Sequence, residues 1–139
     1  MFIYYISDLK MIKISPSILS ADLFEIESKV KALDKAGVEY IHIDVMDGHY
    51  VQNITFGSNM VKSLKKITSK VLDVHLMIEP VKLYIKEFIE AGSDIISFHP
   101  EADENSYEII DMLNDHNIEA GIAIHPDIKI SDIEKFLPK

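Results

Sequence analysis

Two histidine–carboxylate runs stand out as places where chemistry could occur. Tyr40-Ile-His-Ile-Asp-Val-Met-Asp-Gly-His49 reads as a buried strand that runs into a loop. Side chains alternate between the faces of a strand, so Tyr40, His42, Asp44 and Met46 share one face and Ile41, Ile43 and Val45 the other. The aliphatic face is what a sheet shows to covering helices. The opposite face carries an imidazole and a carboxylate emerging about 7 Å apart along the strand, near enough for both to reach one bound cation. The bland alternative is a hydrogen-bonded core histidine, the usual state of a single His on a strand.

Val71-Leu-Asp-Val-His-Leu-Met77 favours the first reading. Here Asp73, His75 and Met77 share a face, and Leu72, Val74 and Leu76 face the other way. Two successive strands thus carry a His and, further on, a Met on one face. Two imidazoles and a carboxylate from neighbouring strands suit a divalent transition metal such as Zn, Fe, Mn or Co. A carboxylate beside a cation that also binds a substrate's oxygens could pull a proton from carbon.

The elements that position these residues follow from the hydrophobic pattern. Lys13 to Leu19 reads as the first strand, with Pro16 tolerated at an edge or bulge and Ser15, Ser17 and Leu19 on one face. Ser20 or Asp22 can cap a helix from Leu23 to Ala36, which Gly37 ends. After the second strand, the loop Asp47 to Gly57 is long for a strand–helix connection, and such loops are often functional. A helix over Asn59–Thr68 leads to the third strand, Val71–Met77. Pro80 is placed to open a helix to about Ala91, stopped by Gly92. Asp94–His99 is the fourth strand, with Ser97 and His99 on one face. Helices over Asn105–Asn117 and Ile130–Phe136 flank a fifth strand, Glu119–His125. Five strand–helix units without a hairpin signal predict an α/β fold with a parallel sheet and right-handed crossovers. Ionisable residues gather toward the C-terminal ends of strands, where sites lie in such folds.

Composition narrows the function. The 139 residues predict one domain, and a formal charge of −9 argues against nucleic acid or an anionic membrane as the main partner. Without cysteine there is neither a disulfide framework nor a thiolate metal site, which fits a cytoplasmic protein. No Gly-x-Gly-x-x-Gly or Walker-type loop points to a nucleotide. The apolar start is too short for a membrane span and lacks the pattern of a signal peptide. Met11 looks like a more natural start, so residues 1–12 are expected to be a leader and residues 13–139 the core.

Six blocks, in order and in register, resemble the ribulose-phosphate 3-epimerase family: Ser15-Pro-Ser-Ile-Leu-Ser-Ala-Asp22, His42-Ile-Asp-Val-Met-Asp-Gly-His49, Asn53-Ile-Thr-Phe-Gly57, Asp73-Val-His-Leu-Met77, Phe98-His-Pro-Glu-Ala102 and Gly121-Ile-Ala-Ile124. The resemblance covers about residues 13–139. It implies a (β/α)8 TIM barrel that interconverts ribulose 5-phosphate and xylulose 5-phosphate in the pentose phosphate pathway. One Asp removes the C3 proton, a second returns one on the opposite face, and a divalent metal stabilises the enediolate between. Carried over by motif, His42, Asp44 and His75 are metal ligands and Asp44 is also the first acid/base. Ser17 and His75 touch the sugar phosphate, and Met46 and Met77 line the site, where their plain role is packing. The complete enzyme is expected to be a homo-oligomer.

Departures qualify the assignment. The family barrel has eight strands, and about five units are read here, so this is expected to be the N-terminal part. The strand-seven Asp and the phosphate loops are then missing, and the isolated chain should be inactive. Gln52 stands where the family commonly has Pro, and His125 where it has Asn; His125 and His99 receive no role. The alternatives are a non-catalytic fragment that associates with another chain through its open sheet, or an epimerase for a related six-carbon ketose phosphate.

Overall fold

The computed structural model describes residues 13–137; the expected leader, residues 1–12, lies outside them. In chain order the elements are α1 (Ile26–Ala36), β1 (Tyr40–Met46), α2 (Ser58–Leu64), β2 (Val71–Met77), α3 (Ile85–Ala91), β3 (Ile95–Phe98), α4 (Ser106–Asp115), β4 (Glu119–Ile122) and α5 (Ile130–Ile133). The four strands form one parallel sheet in the order β1-β2-β3-β4. This is the α/β architecture of part of a (β/α)8 barrel. No helix among the described residues is long and apolar enough to cross a membrane.

The alternating sequence of β1 and β2 becomes an alternating burial. Ile41, Ile43, Val45, Leu72, Val74 and Leu76 are all but inaccessible, and the residues between them are half-buried. The buried set joins Val30 of α1, Val61 and Leu64 of α2, Ile85 and Phe88 of α3, and Ile109 and Leu113 of α4 in one core. Burial of one such side chain is worth about 1.5–3 kcal/mol, so a one-residue slip of either strand, which would turn its three outward, is strongly opposed. That penalty fixes which residues face the opposite side. Gly121 of β4 has a steric cause: a Cβ there would lie 2.8 Å from Cβ of Ser97 on β3.

The first expected strand is not a full member of the sheet. Ile14 and Pro16 carbonyls accept from Tyr40 and His42, Ile18 N–H donates to the His42 carbonyl, and only Ser17 bridges to His42. The next parallel bridge, Ser15 with Tyr40, would need an N–H from residue 16, which proline lacks. The segment therefore lies alongside β1 on three backbone bonds, and the expected five strands become four. The other corrections are at ends. A 3-10 turn over Leu23–Glu25, capped by the Asp22 carboxylate, precedes α1. Pro80 does not open the third helix. It follows a cis peptide bond, Lys82 N–H is given to Asp103 Oδ2 at 2.7 Å, and α3 begins only at Ile85. β3 ends before His99 because Pro100 opens a 3-10 turn, and β4 ends before His125.

Candidate metal centre

Register between β1 and β2 assembles the site. Asp44 stands opposite His75, and His42 opposite Asp73. All four lie on the face turned from the core and keep 15–24% of their side-chain surface exposed. One ligand atom each from His42, Asp44 and His75 fall within 4.8 Å of one another. Asp44 Oδ1 is 3.2 Å from His42 Nε2 and 3.5 Å from His75 Nδ1.

Neighbours fix how these groups point. His42 Nδ1 lies 2.7 Å from Asp73 Oδ2, which also accepts the Ser15 hydroxyl at 2.9 Å. The Ser17 hydroxyl donates to Asp44 Oδ2 at 2.6 Å, leaving Oδ1 toward the two imidazoles. Below, the Thr55 hydroxyl donates to the Asp44 carbonyl at 2.6 Å and accepts Met46 N–H at 3.0 Å, pinning the end of β1. Asp47 anchors the following loop, accepting N–H from His49, Tyr50 and Glu79 at 2.8–2.9 Å. Gly48 makes that turn with a φ of 76°, and a Cβ there would meet Ile54.

Electrostatics separate the two rings. The hydrogen bond to Asp73 outweighs burial and raises the pKa of His42 above the ordinary imidazole value. Burial lowers that of His75, against the pull of Asp44. Burial works against the charge of Asp73, but its bonds from His42 and Ser15 hold its carboxyl below the usual range. A neutral His42 that donates Nδ1–H to Asp73 turns a bare Nε2 toward Asp44. Acceptors that face one point repel unless a proton or cation lies between them. Two imidazoles and a carboxylate are the donor set of a divalent transition metal, and Asp73 is the kind of outer carboxylate that orients a ligating His. The residues present fit such an ion.

Of the residues singled out from sequence, His42, Asp44 and His75 come together, and Ser17 touches Asp44. Met46 and Met77 pair with each other two residues further along, half-buried on the same face. His125 is exposed past β4, 3.5 Å from Asp127. Sequence reasoning passed over Asp73, Asp47, Thr55 and His99 as parts of the site. Asp73 shares the His75 face, which was a usable signal; His99 lies one residue past β3, with Nε2 2.9 Å from His75 Nε2. The cluster sits on the open face of the sheet. A cavity of about 340 Å³ lies beside the end of β1, between it, α2 and α3, lined by Met46 and Asp47 as well as Val45, Phe56, Tyr84 and Phe88; none of His42, Asp44 and His75 lines it.

Residues 13–139 match the family model described as the ribulose-phosphate 3 epimerase family. The chain is 44% identical over 124 residues to a ribulose-phosphate 3-epimerase of Bacillus subtilis, covering 89% of this chain and 57% of that protein. It is 39% identical over 128 residues to one from Rhodobacter capsulatus (92% and 56%). It is 40% identical over 131 residues to one from Synechocystis (93% and 57%). The chain thus spans a little over half the length of the curated relatives it matches.

Proposed function

The chain belongs to the ribulose-phosphate 3-epimerase family, and from that premise we propose that it carries one metal-binding, proton-transferring half of a ketopentose-phosphate 3-epimerase. Residues 13–139 are then the N-terminal part of the barrel domain. The substrates are D-ribulose 5-phosphate and D-xylulose 5-phosphate. His42, Asp44 and His75 hold a divalent cation, one of Zn, Fe, Mn or Co. When bound, the cation supplies Lewis-acid stabilisation of charge developing on the substrate's oxygens.

Asp44 Oδ2 takes the proton from C3, and the C–H electron pair moves into the adjacent carbonyl to give an enediolate. A proton delivered to C3 on the opposite face, with the electrons returning, gives the epimer. Ser17 aims Oδ2 through its hydroxyl and touches the sugar, as does His75. Asp73 holds His42 in the tautomer that presents Nε2. Met46 and Met77 give the reacting carbon an apolar wall that excludes water.

The convergence of the His42, Asp44 and His75 ligand atoms within 4.8 Å carries this reading. Calorimetric titration of the chain with Zn or Co(II) tests it. Binding should be seen, and His42→Ala, Asp44→Asn and His75→Ala should each weaken it at least about tenfold. A wild-type chain that takes up no ion would sink it.

One observation favours a second reading, a non-catalytic piece that associates with another chain. β4 has no buried residue, Ile124 and Leu137 near it are exposed, and a hollow of about 350 Å³ beside it is lined by Ile110, Ala120, Ile122 and Phe136. Such an edge invites a further strand. Sedimentation at increasing concentration tests it, and a strictly monomeric chain would count against it.

A further inference from the structure

His75 presents Nδ1 to Asp44, which leaves its Nε2 to be accounted for. That atom lies 2.9 Å from Nε2 of His99. His99 follows β3 directly, is 7% exposed, and its Nδ1 is buried without a hydrogen-bond partner. The nearest charge to that Nδ1 is Oε1 of Glu101, at 3.5 Å. Glu101 accepts the Tyr50 hydroxyl at 2.9 Å, and the Tyr50 ring lies against the His99 ring, 4.9 Å between centroids. Tyr50 belongs to the loop that Asp47 anchors, so this chain of contacts ties the loop after β1 to the end of β3.

Two neutral rings in contact through Nε2 share one proton, and its position sets both tautomers. Placed on His99, it lets His75 Nδ1–H face Asp44 Oδ1 at 3.5 Å but leaves the buried Nδ1 of His99 bare against the Glu101 carboxylate, acceptor against acceptor. Placed on His75, it leaves the Nδ1 of His99 protonated and facing Glu101, a favourable contact. The two carboxylate contacts are equally long, so burial decides: His99 Nδ1 is cut off from solvent, whereas the His75 side chain keeps 19% of its surface exposed and its Nδ1 lone pair can be solvated, and the second arrangement wins. In that arrangement Nδ1 of His75 carries a lone pair aimed at Asp44 and His42.

We propose that His99 is a positioning residue: it accepts Nε2–H from His75 and so holds the His75 Nδ1 lone pair ready for the cation. Glu101, itself held by Tyr50, orients His99. The use of that lone pair rests on the metal-centre reading, whereas the tautomer is a property of the metal-free chain.

Imidazole-nitrogen NMR on the metal-free full chain, well above the imidazole titration range, reads the tautomer directly. A Co(II) titration followed by visible absorption reads its consequence. The His75 proton is expected on Nε2 in the wild type. It should stay there in His99→Gln, whose side-chain carbonyl replaces the acceptor. In His99→Phe the His75 tautomers should mix, and Co(II) affinity should fall by about tenfold or more, the usual effect of losing an outer partner. Should His99→Phe not fold, the wild-type tautomer and the Gln variant decide the matter. A wild-type His75 protonated on Nδ1 overturns the proposal. So does a folded His99→Phe chain that keeps both the Nε2–H tautomer and wild-type Co(II) affinity. The expected tautomer together with no Co(II) uptake by the wild type would remove the metal reading and leave the positioning role in place.

Discussion

β1 and β2 pair over seven residues each, whereas β3 and β4 pair over four. β1 has β2 on one side and the Ile14–Ile18 segment on the other; β4 pairs only with β3 among the described residues. Every inward residue of β1 and β2 is at most 3% exposed, and β4 buries none. The titratable cluster lies on the first pair. A strand held from both sides and packed on one face has a single register, and only a single register can hold Asp44 opposite His75 to within a few tenths of an ångström. An edge strand has no such constraint, and β4 contributes no side chain to the cluster.

The largest effect that tests this contrast concerns turnover. Asp44 and Asp73 come from neighbouring strands and so approach a substrate from one side of the sheet. Epimerisation needs proton transfer on both sides of C3. The 139-residue chain with added Zn, Fe or Mn is therefore expected to turn over at least roughly a thousandfold more slowly than a complete family enzyme, since proton transfer served from one side only forgoes several kcal/mol of transition-state stabilisation. Conversion of ribulose 5-phosphate and exchange of its C3 proton measure this. Robust turnover that Asp44→Asn abolishes would show a second acid/base on this chain and break the contrast. Recovery of turnover on adding the remaining barrel strands as a separate piece would sharpen it.

Stability should divide along the same line. Ile43→Ala or Leu76→Ala removes a fully buried side chain between well-held neighbours and should cost about 2–5 kcal/mol in urea melts. Ile122→Ala on β4 removes a half-exposed one and should cost about 1 kcal/mol or less. Equal losses would mean that β4 is as well packed as β1, contrary to its exposure.

The strands that matter most were the most legible. β1 and β2 follow strict alternation, and their bounds and faces could be read directly. Alternation fixes a face but not an offset between strands, so the pairing of His42 with Asp73, and the support Asp73 gives, emerge only from the register of the folded sheet. The Lys13–Leu19 segment has a strand's composition, but one missing N–H at Pro16 reduces it to a bridge, and composition does not weigh one hydrogen bond. His99 was assigned the right face without a role, because its partner lies 24 residues away in sequence. The start of α3 was misplaced because Lys82 N–H is taken by Asp103, a tertiary bond that no local signal announces.

The smallest expected effect distinguishes the loops rather than the strands. Asp47 anchors the loop after β1, and Asp103 anchors the turns after β2 and β3 through N–H groups of Lys82 and Asn105. For both, burial favours the neutral acid, but the backbone donors outweigh it and hold the carboxyl below its ordinary value of 3.8. A pKa lower in the folded chain than in the unfolded one means that the unfolded chain takes up protons first. Each carboxylate's contribution is thus complete above the unfolded value, near 4, and is lost as pH falls through the folded one. At neutral pH, Asp47→Asn and Asp103→Asn should each cost on the order of 1 kcal/mol, through weakened charge-assisted bonds. Below about pH 4 the gap between wild type and variant should shrink, because the wild-type carboxylates are then protonated too. Urea melts across that range measure it, and a gap that stays constant would show that shape, not charge, holds these loops. A loss confined to Asp47→Asn would tie the pH response to the loop beside Asp44, and equal losses would spread it over both ends of the sheet.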